Sequence, residues 1–379
     1  MIKVLHIITG LSTGGAEMSL YRLLAKRSAN YNHHVISLST IGEVGTRIEE
    51  LGISVEALEM RPGIPDPLAI FQLARKLKTL KPDLVHTWMY HADLIGGISA
   101  RLAGVPAVMW GIRHSNLSPK LNKRATLAVV KVCSWLSNYI PDRILCCSEV
   151  ARDIHIKVGY CADKFVVIPN GIDLARYKPD TLARESVRAE LGLSENTPLI
   201  GIIARFDSQK NHEGFIRAAG LLHTQQPAVH FLLAGRNIDI KNADLDRWMK
   251  KAGLHEVCHL LGQRDDIPRL MAALDISTST SSGEAFPNVV AEAMSCGVPC
   301  VVTDVGDSAY IVGDAGLVVN PGDMRELADA WEKLLSLLPD ERRYLGERAR
   351  ARVAENFELG SIVVRYENLY EELLKSKYC

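Results

Sequence analysis

The chain has 379 residues, of which 47% are hydrophobic and 23% charged, and its 44 Lys and Arg balance 44 Asp and Glu. This length favours two domains, and the ordinary composition excludes a disordered protein. No apolar run approaches the roughly 20 residues that span a bilayer. The neutral net charge and the lack of any known nucleic-acid-binding motif argue against nucleic-acid binding. The eight cysteines contain no Cys-x-x-Cys pair, so we expect reduced thiols in a cytoplasmic protein.

The first predicted strand, Lys3–Ile8, is followed by a glycine-rich loop. This loop, Thr9–Glu17, leads into a helix predicted over Gly15–Arg27, and open parallel sheets bind anionic ligands at such strand ends. Gly14 and Gly15 would let the backbone approach a phosphate. Their spacing is not the G-x-G-x-x-G pattern of dinucleotide binding. A tight turn without a ligand would use the same glycines, so the loop alone does not decide between the two.

Apolar strand-like runs alternate with helical patterns along the chain, which is typical of parallel α/β architecture. In the first half, where a further helix is predicted over Pro67–Leu80, the predicted strands are Lys3–Ile8, His34–Ser39, Ser54–Leu58, Leu84–Thr87, Ala107–Gly111, Arg143–Cys147 and Phe165–Ile168. In the second half they are Leu199–Ala204, His230–Ala234, Val257–Leu261, Ile276–Thr278 and Val298–Thr303. Turn residues within Pro169–Leu199 predict a domain junction there. A patterned helix, Ser361–Ser376, ends the chain.

The charge is distributed unevenly. Residues 1–180 carry 22 Lys and Arg against 15 Asp and Glu, which leaves 22 against 29 for residues 181–379. The stretch 113–136 has no acidic residue and combines cations with apolar residues and Trp135. This pattern is typical of segments that rest on anionic lipid headgroups, which would place the protein at the inner membrane face. An ordinary helix that packs its apolar side on the core explains the pattern equally well.

Two cations follow the first predicted strand of the second half. Arg205 and Lys210 stand just past the strand end at Ala204. Cations in that place would neutralise a diphosphate leaving group.

Two carboxylates lie eight residues apart at a loop-to-helix junction. Pro287 is tolerated in a first helical turn, and Val289–Met294 predicts an apolar helix. The free N–H groups at the start of that helix, with the helix dipole, would bind a phosphate. Glu284 would lie in the loop and Glu292 about two turns inside the helix. The junction therefore predicts a ligand with hydroxyl groups on both sides of a diphosphate, such as a nucleotide sugar.

Other polar groups do not predict a further site. His86, His91 and His114 lack the spacing of a metal site, so we expect no metal. The pair Asp265-Asp266 is interpreted as a loop that ends at a helix start near Pro268.

Four motifs together resemble those of the retaining glycosyltransferases of family four, the glycogen-synthase-like and polysaccharide-type sugar transferases. They are the Glu-x7-Glu segment that ends in Glu-Ala-Met, the pair Arg205 and Lys210, the segment Val167–Asp173, and the Gly14-Gly15 loop. The match runs nearly from end to end. The resemblance implies an α/β protein of GT-B fold, with two Rossmann-like domains, a cleft between them, and a C-terminal helix that crosses back to the first domain.

The resemblance also implies that the two domains bind different substrates. Residues 1–172, with the helix 361–379, would form an acceptor-binding domain. Residues 173–360 would form the domain that binds the nucleotide sugar.

Roles for single residues follow from the same resemblance. Glu292 would bind the ribose hydroxyls, and Glu284 the hydroxyls of the donor sugar near the reacting face. Arg205 and Lys210 would hold the diphosphate, and His114 would contact the donor sugar. The other implied donor-binding residues are Gly14, Gly15, Phe286, Pro287, Asn288 and Val289. Ala285 departs from the glycine of many relatives, and its methyl group would restrict the loop.

The implied reaction moves a sugar from a nucleoside-diphosphate sugar, expected to be a UDP-sugar, to a lipid-linked or polysaccharide acceptor in cell-surface glycan synthesis. The anomeric configuration would be retained, and neither a metal nor another cofactor would take part. Two alternatives stay open. One is a sugar-nucleotide epimerase of the same fold, and the other is a non-catalytic subunit that binds sugar nucleotides.

Overall fold

The computed structural model describes residues 1–60, 67–119 and 122–378. The chain divides into two compact units, one formed by Met1–Gly171 with Leu359–Cys379 and the other by Ile172–Glu358. Each unit contains one parallel sheet with helices, so the predicted α/β class with two Rossmann-like sheets is confirmed.

The first unit is built on a seven-stranded parallel sheet with the strand order β3-β2-β1-β4-β5-β6-β7. Its strands are β1 (Ile2–Ile8), β2 (Tyr31–Ser37), β3 (Ser54–Ala57), β4 (Leu84–Trp88), β5 (Ala107–Ile112), β6 (Arg143–Cys146) and β7 (Phe165–Val167). The helices between them are α1 (Gly15–Ala25), α2 (Gly42–Glu49), α3 (Pro67–Leu80), α4 (Tyr90–Ala103), α5 (Arg124–Leu136) and α6 (Glu149–Val158).

The second unit has a six-stranded parallel sheet with the order β10-β9-β8-β11-β12-β13. Its strands are β8 (Leu199–Ile203), β9 (His230–Ala234), β10 (Cys258–Leu260), β11 (Ile276–Ser279), β12 (Cys300–Thr303) and β13 (Gly316–Val319). Its helices are α7 (Thr181–Glu190), α8 (His212–Gln225), α9 (Ala243–Ala252), α10 (Ile267–Ala273), α11 (Asn288–Ser295), α12 (Ser308–Val312), α13 (Met324–Leu335) and α14 (Pro339–Asn356).

The last helix, α15 (Leu359–Tyr378), packs into the core of the first unit. Its buried side chains recur at the spacing expected of one helix face, and they are Ile362, Val363, Tyr366, Leu369, Tyr370, Leu373 and Leu374. The sequence pattern predicted this helix over Ser361–Ser376, two residues short at each end. Helix ends fray and are the least certain part of such an assignment.

Strand β13 is absent from the sequence-based prediction. It is only four residues long, and it pairs with β12 at the edge of the sheet. A short apolar run between Gly316 and the turn that begins at Asn320 was the available signal.

The seven cysteines in the described part of the chain carry free thiols. Six of them are buried, and Cys161 is half-buried. Within the same residues, no helix is both long enough and apolar enough to cross a membrane.

Candidate active site

The strand order of the second unit reverses between β8 and β11, which are hydrogen-bonded neighbours. Open α/β sheets bind ligands at such a switch point, just beyond the carboxyl ends of the strands. The chain after β8 carries Arg205 and Lys210, and the chain after β11 carries Glu284. The topology therefore brings two of the predicted motifs to one edge of the sheet.

Lys210 and Glu284 contact each other directly at this edge. The Nζ of Lys210 forms an ion pair with Oε1 of Glu284, and the Ser281 hydroxyl donates to the same oxygen at 2.7 Å. The side chains of Lys210 and Glu284 are only 19% and 13% exposed. Partial burial strengthens the attraction between the two charges relative to a pair in water. The Lys210 cation and the Glu284 carboxylate therefore lie side by side as one partly buried pair.

Hydrogen bonds to backbone carbonyls fix the two loops that carry this pair. The side-chain amide of Gln209 donates to the Gly283 carbonyl, and the Ser282 N–H donates to the Gln209 carbonyl at 2.8 Å. The Thr280 hydroxyl donates to the Lys210 carbonyl, also at 2.8 Å. The loop after β8 and the loop after β11 therefore form one hydrogen-bonded layer.

Arg205 belongs to a separate ion pair. Its Nε and Nη2 both donate to Oδ2 of Asp207 at 3.2 Å, and its side chain is half exposed. The structure therefore engages Lys210 with Glu284 and Arg205 with Asp207. A diphosphate would have to compete with Asp207 for Arg205.

The other predicted donor-binding residues of the second unit lie in helix α11 or just before it. It begins at Asn288, and Pro287 stands just before it with an extended backbone, so the prediction that Pro287 lies in the first turn is off by one position. Asn288 and Val289 are half-buried. Glu292 is only 7% exposed, so its side chain is largely withdrawn from solvent. Phe286 is buried and packs edge-on against Phe357, with ring centroids 5.4 Å apart.

Gly306, on the loop after β12, sets the backbone position of Glu284. Its φ is +54°, and a Cβ there would lie 2.0 Å from the Glu284 carbonyl oxygen. The next residue, Asp307, donates its N–H to the Ala285 carbonyl at 3.0 Å. Only glycine allows this approach, because any side chain would overlap the carbonyl.

The sequence-based prediction missed Ser281, Gln209 and Gly306. One signal was present for Ser281, because Ser277–Ser282 is an unbroken run of hydroxyl residues at the end of a buried strand. Buried hydroxyls need hydrogen-bond partners, so such a run indicates a polar network. Gly306 gave no such signal, since its partner lies on another loop.

In the first unit, an acidic side chain lies next to the glycine-rich loop after β1. A Cβ on Gly14 would lie 2.4 Å from Oε2 of Glu17, whereas one on Gly15 would meet open space. Burial raises the pKa of Glu17, although a hydrogen bond with its own backbone opposes this. The carboxylate of Glu17 therefore occupies space beside Gly14, near the start of α1.

His114 lies two residues beyond β5 and is half-buried. His86 lies instead in the core, where its Nδ1 is 2.9 Å from the Tyr370 hydroxyl. Among the residues that the structure describes, no three His, Cys, Asp or Glu side chains are arranged to hold a metal ion.

The Asp265-Asp266 pair lies before α10, as interpreted from the sequence. Hydrogen bonds from Arg264, and others from Arg269, hold the pKa of Asp266 well below its ordinary value. Asp266 thus serves a local charge network.

The helix in the basic stretch 113–136 has one buried side and one exposed side. Val129 and Val130 of α5 are buried, while Lys131 and Trp135 are exposed, Trp135 by 66%. The Trp135 ring lies edge-on to Tyr139, which is 68% exposed. Lys120 and Leu121 of this stretch lie outside the described residues.

Arg113 does not belong to the exposed basic surface. Its guanidinium donates to Oδ1 of Asn170 at 2.7 Å and to the Tyr366 hydroxyl, so the side chain is engaged inside the unit. Its inclusion in a lipid-facing stretch was wrong for this reason.

Comparison with known proteins adds to this geometry. Residues 13–176 match the family described as Glycosyltransferase Family 4, and residues 183–352 match the family described as Glycosyl transferases group 1. The first match lies in the first unit, except that its last residues, 172–176, belong to the second unit. The second match lies wholly in the second unit.

Two curated relatives show similarity over most of their length. The chain is 28% identical, over 83% of its own length and 81% of the relative's, to UDP-Gal:alpha-D-GlcNAc-diphosphoundecaprenol alpha-1,3-galactosyltransferase of Escherichia coli. It is 25% identical, over 88% and 87% of the two chains, to putative glycosyltransferase EpsF of Bacillus subtilis.

Solved structures share the fold. The structure of Anabaena Alr3699/HepE in complex with UDP superposes with a TM-score of 0.85 at 23% identity, covering 98% of this chain and 100% of that one. The same protein in complex with UDP-glucose gives 0.82 at 25% identity, covering 99% and 100%. The two sheets, the family matches and these likenesses agree, and the chain belongs to glycosyltransferase family four, with the GT-B fold.

Proposed function

We propose that this chain transfers a sugar from a UDP-sugar to a lipid-linked or polysaccharide acceptor in cell-surface glycan synthesis, with retention at the anomeric carbon. The relative from Escherichia coli is named for a UDP-Gal donor and a diphosphoundecaprenol-linked acceptor. The Anabaena neighbour is bound to UDP in one structure and to UDP-glucose in another. Another relative is named as a lipopolysaccharide core mannosyltransferase of Rhizobium meliloti.

The single observation that carries the proposal is the contact between Lys210 and Glu284 at the switch point of the second sheet. Lys210 offers a cation to the diphosphate, and Glu284 offers an acceptor to the hydroxyls of the donor sugar. A ligand that has both groups next to each other is a nucleoside-diphosphate sugar. Glu292, buried in α11, is assigned to the ribose hydroxyls.

The chemistry involves one bond broken and one bond formed. The bond from the anomeric carbon to the β-phosphate oxygen breaks, and the acceptor oxygen bonds to that carbon on the same face of the ring. The acceptor proton passes to the departing diphosphate. Negative charge grows on the diphosphate as its bond to the anomeric carbon breaks, and groups that stabilise such charge usually make the largest contribution to the rate.

Lys210 and Arg205 are the cations assigned to that charge. Because they supply the positive charge that a bound metal ion would otherwise offer, we propose that the reaction needs no metal. Retaining glycosidases use a carboxylate as a nucleophile, but we assign Glu284 to hydroxyl binding because its oxygen already accepts from Lys210 and Ser281.

For the first unit, we propose that His114 contacts the donor sugar and that Gly14 and Gly15 cap the phosphates. Residues 1–171 with α15 would bind the acceptor, and the second unit would bind the donor. Glu17 lies beside Gly14. Its carboxylate would have to turn away, or take up a proton, when a phosphate binds there.

We also propose that α5 rests on an anionic membrane surface. Lys123, Arg124 and Lys131 are exposed beside Val132 and Trp135. Aromatic rings next to cations suit the headgroup region of a bilayer. An acceptor with a lipid anchor would lie in the same surface.

The test combines donor binding with turnover. Unfolding should first be followed against a panel of nucleotide sugars, since a ligand at 100 times its Kd adds about 2.7 kcal/mol of stability. The donor found in this way is then incubated with a polyprenyl-diphosphate sugar, and the anomeric configuration of the product is read by NMR. Lys210→Ala should lower kcat about 100-fold, while Lys333→Ala, an exposed lysine on α13, should leave it unchanged.

Two outcomes would favour the other candidates. An epimerised sugar released from the donor without acceptor indicates an epimerase. Donor binding without turnover under any condition, in wild type as in Lys210→Ala, indicates a binding subunit. Inversion at the anomeric carbon would contradict the retaining mechanism.

A further inference from the structure

We propose that Arg113 is a positioning residue for the reaction. It ties the segment that carries His114 to the start of α1 and to the point where the chain leaves the first unit. The inference rests on the proposed function for its kinetic part, and on contacts within the first unit for the rest.

The guanidinium of Arg113 makes contacts in three directions. Its Nη1 donates to Oδ1 of Asn170 at 2.7 Å, and its Nη2 donates to the Tyr366 hydroxyl. Its carbon Cζ lies 4.6 Å from the centroid of the Trp88 ring, at the end of β4. Because His114 follows Arg113 directly in the chain, these contacts restrict where the backbone of His114 lies.

Arg113, Asn170, Tyr366 and Trp88 form one cluster, and Asn170 extends it to the start of α1. The Ser19 hydroxyl shares its single proton between Oδ1 of Asn170, at 3.3 Å, and the carbonyl of Gly15, the first residue of α1, at 2.8 Å. Asn170 itself is only 8% exposed. One amide oxygen therefore accepts from both sides and joins the His114 segment to the start of α1.

The same cluster lies at the two places where the chain passes between units. Asn170 and Gly171 are the last residues before the first crossing, and α15 begins directly after the second. A Cβ on Gly171 would lie 2.9 Å from the Cα of Leu359, so the outgoing and returning segments approach closely. Arg113 bonds to both, through Asn170 on the outgoing segment and Tyr366 on the returning helix.

Only arginine has the chemistry for this role. A guanidinium is flat, carries several donors in a fixed fork, and stacks on aromatic rings, whereas a lysine ammonium is a single point charge on a flexible stem. Lysine at position 113 would keep the charge but would not reach two acceptors while lying flat on Trp88.

The experiment compares three variants of the full chain. Arg113→Lys and Tyr366→Phe each remove one part of the cluster. Tyr31→Phe is the matched control, because the Tyr31 hydroxyl also bonds to α15, at the Glu367 carbonyl 3.1 Å away, without contacting Arg113. Amide hydrogen exchange is measured over residues 10–19, 111–115 and 168–172, together with the kcat and the donor KM.

We expect Arg113→Lys and Tyr366→Phe to speed exchange in all three segments. They should also lower kcat about tenfold or more, with donor KM changed less, because small misplacement of a group near the reaction is costly. Tyr31→Phe should leave exchange in the three segments unchanged and kcat within about twofold. The proposal is overturned if the two cluster variants behave like Tyr31→Phe, or if exchange rises in one segment alone.

Failure of the proposed function is distinguishable from failure of this inference. If the wild type turns over no nucleotide sugar, the function fails, and the exchange pattern alone then decides whether Arg113 couples the three segments. If the wild type is active and Tyr366→Phe is equally active, the positioning role is wrong while the function stands.

Discussion

Lys210 and Glu284 form an ion pair across the switch point of the second sheet, although they lie 74 positions apart in the chain. The pair joins the loop after β8 to the loop after β11. Both side chains are largely buried, and Ser281 adds a third polar partner. Each of the two charges is thus neutralised by the other.

A double-mutant cycle on Lys210 and Glu284 should show strong coupling. We expect Lys210→Met and Glu284→Gln each to lower kcat/KM, and the double variant to lose less than the sum of the two free energies. Contacting residues usually couple by about 0.5–3 kcal/mol. Measured kcat/KM for the donor gives this energy, and additive effects within about 0.3 kcal/mol would show that the contact does not matter for the reaction.

Gly306→Ala should impair the site through the backbone of Glu284. Alanine at a positive φ costs about 1–2 kcal/mol, and the added methyl would also lie 2.0 Å from the Glu284 carbonyl oxygen. The control is Gly322→Ala, which has a φ of +85° and open space around the new methyl. For Gly306→Ala, both the midpoint temperature of thermal unfolding and kcat should fall. For Gly322→Ala, only the midpoint temperature should fall. Equal kcat in the two variants would contradict the predicted role of Gly306.

Asp93→Asn should change how stability depends on pH. Burial raises the pKa of Asp93 to about 8 from an ordinary 3.8, although hydrogen bonds from Thr87 and from the Gly111 N–H oppose the shift. The folded protein therefore holds a proton that the unfolded chain releases above about pH 4, so stability falls as the pH rises from about 4 through 8. Asparagine mimics the protonated acid and removes this loss.

The check is chemical denaturation from pH 5 to pH 9. Asp93→Asn should gain on the wild type as the pH rises, by up to about 1.4 kcal/mol per pH unit over the titration. Asp163→Asn, which changes an exposed carboxylate in the same unit, should follow the wild-type curve. A constant difference between Asp93→Asn and the wild type across this range would show that Asp93 is charged in the folded protein.

Trp135 and Tyr139 should contribute to membrane binding. We expect the double variant Trp135→Ala/Tyr139→Ala to bind vesicles of anionic lipid at least about tenfold more weakly at low salt, since buried apolar area and lipid charge act together. Phe71→Ala removes another exposed aromatic ring of the first unit, 62% exposed on α3, and should bind as the wild type does. Sedimentation with vesicles measures this, and a wild type that does not sediment with them would exclude the membrane contact.

Local patterns in the sequence were enough for most of the fold. Alternating apolar runs predicted twelve of the thirteen strands in the described part of the chain, and the helix starting at Gly15 and the terminal helix followed from turn residues and apolar spacing. Strand β13 was missed because one of its four residues is Gly316, and glycine is depleted in strands, so only three apolar residues remain as a signal. For the candidate site, Lys210, Glu284 and Glu292 are predictions from residue types and turn context, which are local features of the sequence.

Only the tertiary structure decided which of these groups meet. The pairing of Lys210 with Glu284 depends on β8 and β11 being neighbours in the sheet, which no local pattern states. The need for glycine at position 306 arises from a carbonyl on another loop. Arg113 illustrates the same limit, because its charge predicted a lipid-facing residue while its contacts with Asn170 and Tyr366 turn it inward. Local propensity determines elements, whereas contacts between residues distant in the chain are determined by how those elements pack.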